Sequence, residues 1–175
     1  MKRYLLVAVA ILAAACGSSP SQPSNTPPPN TIVFTAALAF ANEVPTLPTS
    51  NADANAKGTG TFTLNLTRDA AGAITDATGT FVYSLTGFPP GTAIRLTHIH
   101  EGGPGVAGGV VIDTGLTAAN AITLNDGTLT NQTFSNRAVG ATLANQIIAN
   151  PNGYYFNVHS GVNPGGAVRA QLVKQ

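Results

Sequence analysis

From residue 58 onward the chain alternates between apolar and polar positions. In GTGTFTLNLTRD, Phe62, Leu64 and Leu66 fall on one face and Thr61, Thr63 and Asn65 on the other. A period of two marks a strand with one face buried. After the turn AAG, the stretch ITDATGTFVYSLTGFPPG repeats the pattern with Phe81, Tyr83 and Leu85, and Pro89, Pro90 and Gly91 end it. AIRLTHIH predicts a third strand, and VVID, AITLN and LTNQTF predict short ones between Gly and Asn turns. YYFNVHS and GAVRAQLVK predict the last two. In the second of these, Val168, Ala170 and Leu172 alternate with Arg169 and Gln171, which reads as a solvated or rim-paired polar face.

One segment changes period. SNRAVGATLANQIIANPNG sets Val139, Leu143 and Ile147 four apart. This predicts one short helix near 137–149, capped by Ser135 or Asn136 and ended before Pro151. About eight short strands and a single helix predict an all-β fold, a two-sheet β-sandwich with the helix as crossover or lid.

The N-terminus departs from this pattern. MKRY is positive, and LLVAVAILAAA is a short apolar run, as in a signal peptide over residues 1–15. The only cysteine, Cys16, follows in ILAAACGSS, and this resembles a bacterial lipoprotein signal, with Ala13 where such signals usually carry Leu. The resemblance implies lipidation at Cys16 and a membrane anchor. Gly17 and Ser18, with no Asp after the cysteine, fit export to the outer membrane of a cell envelope. Residues 16–30 then form a lipidated Cys and a flexible Pro/Ser linker, and residues 31–175 form the folded domain. With Cys16 lipidated, no disulfide is available and a hydrophobic core must hold the domain.

Charged residues are 9% of the chain and the formal net charge is +1. This leaves no electrostatic footprint for nucleic acid. There is no Gly-x-Ser-x-Gly elbow, and Ser160 next to His159 points to the opposite strand face. Asp53, Asp69, Asp76, Asp113 and Asp126 lack calcium-loop spacing and read as turn formers.

The histidines carry the candidate chemistry. His98 and His100 share the even-numbered face of AIRLTHIH with Ile94 and Leu96, with Cα atoms about 6.6 Å apart. His159 ends YYFNVHS on the face of Tyr155 and Asn157. If the two strands are neighbours, three imidazoles meet at one rim. Such a set fits one copper or zinc ion, with Glu101 or Asp113 as a further carboxylate. The alternative is that the imidazoles hydrogen-bond the backbone of the Gly-rich loops beside them. Those loops match in kind: EGGPG follows His100 and SGVNPGG follows His159, as in two equivalent hairpins.

ANEVP, GTGTFTLN, LTHIHEGGPGVAGGVVID and YYFNVHSGVNPGGAVRAQL together resemble the CHRD (chordin-type) domain in content and order. The matching positions are Glu43, Pro45, His98, His100, Gly105, Asn157, His159, Pro164, Gly165, Gly166, Arg169 and Gln171; the chain departs from the pattern at Glu101, Gly102 and Ala167. The resemblance implies an immunoglobulin-like β fold and a non-enzymatic binding or structural module of the cell envelope. Its ligand is unknown, and an envelope or extracellular protein is the partner class implied by analogy with chordin. Glu43 is expected to pair with Arg169 or Arg95. His-Ile-His-Glu also resembles a strand of copper–zinc superoxide dismutase, but three histidines cannot furnish that enzyme's two metal sites.

Overall fold

A computed structural model describes residues 29–175. The expected signal peptide, Cys16 and most of the linker lie outside the described residues. Ten strands form: β1 (Thr31–Ala39), β2 (Lys57–Arg68), β3 (Ile74–Thr86), β4 (Thr92–Glu101), β5 (Val110–Asp113), β6 (Ile122–Leu124), β7 (Leu129–Ala138), β8 (Tyr154–Ser160), β9 (Val168–Gln171) and β10 (Val173–Lys174). The fold is all-β, as the alternation requires. Every pairing is antiparallel.

The strands form one continuous path, β5-β4-β8-β9-β1-β2-β3-β7, with β6 beside β4 and β10 beside β1. This differs from the expected immunoglobulin-like pair of sheets with about eight strands. The chain near Leu172 is the physical reason. β9 pairs with β8, Leu172 N–H donates to the Tyr154 carbonyl, and β10 then pairs with β1. One terminal segment therefore joins both halves into a single sheet. The sheet curls over its own interior: Phe156 of β8 packs edge-on against Phe81 and Tyr83 of β3, at 5.4 and 5.8 Å between ring centres. The curl is almost a barrel, and Arg137 of β7 reaches the Thr114 carbonyl just beyond β5. Gly60 makes room for this, since a Cβ there would stand 3.0 Å from the Phe156 ring.

β1 was missed in the alternation because its inward positions, Ile32, Phe34, Ala36 and Leu38, are diluted by outward Ala37 and Ala39. The helix α1 covers Ala141–Ala149, so residues 137 and 138 belong to β7 instead. Its N-terminus is neither Ser135 nor Asn136 but Gly140, at φ 74°, which turns the chain out of the sheet. Ile147 is buried as the spacing predicts, and Pro151 follows the helix end. No helix among the described residues is long and apolar enough to cross a membrane.

Candidate metal centre

β4 changes face part-way along. Its pairing with β8 slips between Ile94 and Leu96, a β-bulge. Ile94, Thr97 and Ile99 therefore face the core, and the Thr97 hydroxyl donates to the Tyr83 hydroxyl at 3.1 Å. His98 and His100 are turned to the opposite face, away from Ile94, contrary to the uninterrupted alternation. In β8, Phe156 and Val158 fill the core, while Tyr155, Asn157 and His159 take the outer face, as predicted. β4 and β8 are neighbours, with His98 opposite Asn157, His100 opposite Tyr155 and Leu96 opposite His159.

The outer face is covered as well. The β4–β5 loop, the β8–β9 loop and the segment after β1 fold over it. His98, His100 and His159 are 6%, 7% and 4% exposed, so a polar second core lies outside the sheet. One ring nitrogen from each histidine lies within 4.8 Å of the others. His98 Nδ1 and His159 Nε2 are 3.3 Å apart. Two imidazole ligands on a tetrahedral zinc ion are separated by about the same distance, roughly 3.3 Å from bond lengths of 2.0–2.1 Å.

The other ring nitrogens are all held. His100 Nδ1 donates to the Gly108 carbonyl and His159 Nδ1 to the Pro164 carbonyl, each at 3.0 Å. A carbonyl can only accept, so both rings carry the proton on Nδ1 and a lone pair on Nε2. His100 Nε2 is buried and has no partner. His98 Nε2 faces Asp113 Oδ1 at 3.5 Å, its cross-strand neighbour. Each imidazole thus has an outer acceptor of the kind that orients metal ligands. Loop hydrogen bonding and metal ligation, alternatives in the sequence, use different nitrogens of the same rings. The two hairpins share this logic: each Gly-rich loop returns one carbonyl to the histidine on the strand that leads into it.

Burial lowers the pKa of all three histidines, and it pushes His159 down to about 4. For His98 the Asp113 carboxylate partly offsets this. The rings are neutral at neutral pH, the form in which imidazole binds metals. His100 stacks on Tyr155, with 4.8 Å between ring centres, and the Arg169 guanidinium carbon lies 3.6 Å from the centre of the Tyr155 ring.

The other signature residues surround this centre. Arg169 is 2% exposed, so it is not on a solvated face; its Nη atoms donate to the Val106 carbonyl and to Gln171. Gln171 ties β9 to the Gly102, Asn152 and Tyr154 carbonyls. Glu43 is buried and hydrogen-bonded by Asn157, and forms no ion pair with Arg169 or Arg95 among the described residues. Burial raises its pKa to about 7, against the lowering pull of Arg169 and Asn157. Gly166 closes this corner beside Glu43 and Asn157. Pro45, Gly105, Pro164 and Gly165 lie exposed in the covering loops. Glu101 is exposed and is not part of the histidine cluster.

Asp69, Asp113 and Asp126 do cap turns through backbone N–H groups, whereas Asp76 stands within β3 and accepts only from the N–H of Ala77. Asp53 does not belong with them. It is fully buried and accepts from Ser160 Oγ and Asn163 Nδ2 at 2.5 and 2.7 Å. It thereby pins the loop that carries Pro164. Only its long-range partners reveal this role.

An antiparallel all-β module with a covered three-imidazole cluster is the class that fold and site define. The family model of the CHRD domain matches residues 34–172. The chain belongs to the CHRD domain family. Neither the curated proteins nor the solved structures gave a match.

Proposed function

We propose that this chain is an exported, lipid-anchored CHRD module of the cell envelope that binds one copper or zinc ion through His98, His100 and His159. It acts as a binding or structural module without catalysis of its own, consistent with a family of generally non-catalytic modules. The observation that carries the metal reading is the buried, partnerless Nε2 of His100, aimed among two other imidazoles whose outer nitrogens are already held. Leaving a buried lone pair unpaired costs about 1–3 kcal/mol, a cost that an ion removes. The donor set is all neutral nitrogen, which suits copper and zinc. The lipid anchor at Cys16 rests on the sequence ILAAACGSS alone.

Calorimetric titration of the metal-free protein with Cu²⁺ and Zn²⁺ tests the site, beside a variant with all three histidines changed to Ala. One-to-one, sub-micromolar binding that the variant lacks supports the reading. Equal weak binding by both proteins leaves the imidazoles as loop-holding groups and removes the metal from the function.

A further inference from the structure

We infer that Asn157 supplies the fourth donor of this centre, its amide oxygen completing an N₃O set with the three imidazoles. The inference rests on the metal reading above and adds a residue to it.

Five buried side-chain polar atoms lack a partner among the described residues, and Asn157 Oδ1 is one of them, with His100 Nε2 another. Asn157 is 2% exposed, so bulk solvent does not reach that oxygen. Its position is fixed from both sides: it stands opposite His98 on β4 and opposite Arg169 on β9, and His159 is two residues further along β8. Directly opposed residues on one sheet face have Cβ atoms about 4.5–5.5 Å apart.

The orientation of the amide follows from its nitrogen. Asn157 hydrogen-bonds to Glu43, and Nδ2 and Glu43 Oε2 converge on Gly166. Nδ2 therefore lies on the Glu43 side, where its N–H donates to a carboxyl oxygen. Oδ1, on the other branch, is turned away from Glu43. It receives no hydrogen bond from Arg169, whose Nη donors go to Val106 and Gln171. With Arg169 on the β9 side already committed, the neighbour left to this oxygen is His98 on β4. His98 offers Nδ1, the ring nitrogen nearer its own backbone, which draws an ion toward the sheet and toward a short neighbouring side chain. An amide oxygen is a neutral donor, so it adds no charge to a covered site.

The test compares the purified protein with N157A, N157S and N157D, each titrated with Cu²⁺ and each examined as the Cu²⁺-loaded form by electron paramagnetic resonance. Circular dichroism first establishes that each variant is folded. The inference expects N157A and N157S to bind Cu²⁺ about 10–100-fold more weakly than wild type, the scale seen when a group supporting a metal site is lost. It also expects their copper spectra to change. N157D, which keeps an oxygen in place and adds charge, is expected to bind at least as tightly as wild type and to show a changed copper spectrum. Wild-type binding with unchanged affinity and spectrum in folded N157A overturns the Asn157 assignment and leaves the three-histidine reading standing. Absence of one-to-one binding by wild type overturns both. Should N157A and N157S fail to fold, N157D decides: an affinity and spectrum identical to wild type overturn the assignment.

Discussion

His98 Nδ1 stands 3.3 Å from His159 Nε2, across the β4–β8 pairing. Because His159 Nδ1 donates to Pro164, its Nε2 is an acceptor, and His98 meets it with a proton on Nδ1. His98 Nε2 meanwhile faces Asp113, also an acceptor. A neutral ring has one proton for two acceptors.

On the proposed metal reading, an ion at the centre would resolve this conflict. A bound ion would take the lone pair of His98 Nδ1 and leave the ring proton on Nε2, toward Asp113. Nitrogen-15 NMR of the histidine rings is expected to show His98 changing tautomer on zinc addition, while His100 and His159 keep their proton on Nδ1. An unchanged His98 tautomer in the zinc-loaded protein contradicts this assignment of ligand nitrogens.

Asp113 then acts through His98. Its side chain is 58% exposed, so its removal leaves the core untouched. Asp113→Ala is expected to weaken metal affinity by about 10–100-fold and to change unfolding stability of the metal-free protein by less than about 1 kcal/mol. Calorimetry and urea unfolding on the same preparation separate the two effects.

Glu43 gives the stability a pH dependence of defined sign. Its pKa rises from 4.5 to about 7 in the fold, so the folded protein holds this proton more tightly than the unfolded chain. The stabilisation is complete below pH 4.5 and is lost as pH rises through about 7. Glu43→Gln keeps a neutral side chain at every pH. Relative to wild type, it is expected to gain on the order of 2 kcal/mol in unfolding free energy between about pH 5 and pH 8. Equal pH slopes in the two proteins refute the buried, protonated carboxyl.

Gly166 is held at φ 138°, and a Cβ there would stand 2.5 Å from Glu43 Oε2 and 2.7 Å from Asn157 Nδ2. Gly166→Ala must push the Glu43–Asn157 pair apart as well as strain the backbone. A loss of about 2–4 kcal/mol is expected in denaturant unfolding, together with weaker metal binding. Gly165→Ala, where a Cβ meets nothing within 4 Å, serves as the control and is expected to cost under about 1 kcal/mol.

The strands around Phe62 and Phe81 were legible because their alternation is unbroken and most inward residues, such as Phe62, Leu64, Phe81, Tyr83 and Leu85, are large. β1 was not, since Ala37 and Ala39 on its outer positions imitate the small core residue Ala36. The histidine cluster was legible in membership but not in placement. The bulge between Ile94 and Leu96 turns the following residues over, and nothing in AIRLTHIH announces it. The partners of the imidazoles were also hidden, because the Gly108 and Pro164 carbonyls are backbone atoms that no residue type encodes. Arg169 read as a surface residue for a similar reason. Its burial comes from Tyr155 and from the Val106 carbonyl, 63 positions away in the chain.

The joining of β9 and β10 to β8 and β1 also governs the order of assembly. Asn42 Nδ2 donates to the Arg169 carbonyl across 127 positions of sequence. Contacts of such span pay their loop-closure entropy late and slow the folding of β proteins. Until the last strands dock, β1 and β8 each keep an open edge able to pair with another chain. A partly folded molecule is therefore adhesive at those edges, and its histidine face has neither its loop carbonyl from Pro164 nor its Arg169 stack. On the proposed metal reading, loading would act as a proofreading event: only a molecule whose two ends have met could hold the ion.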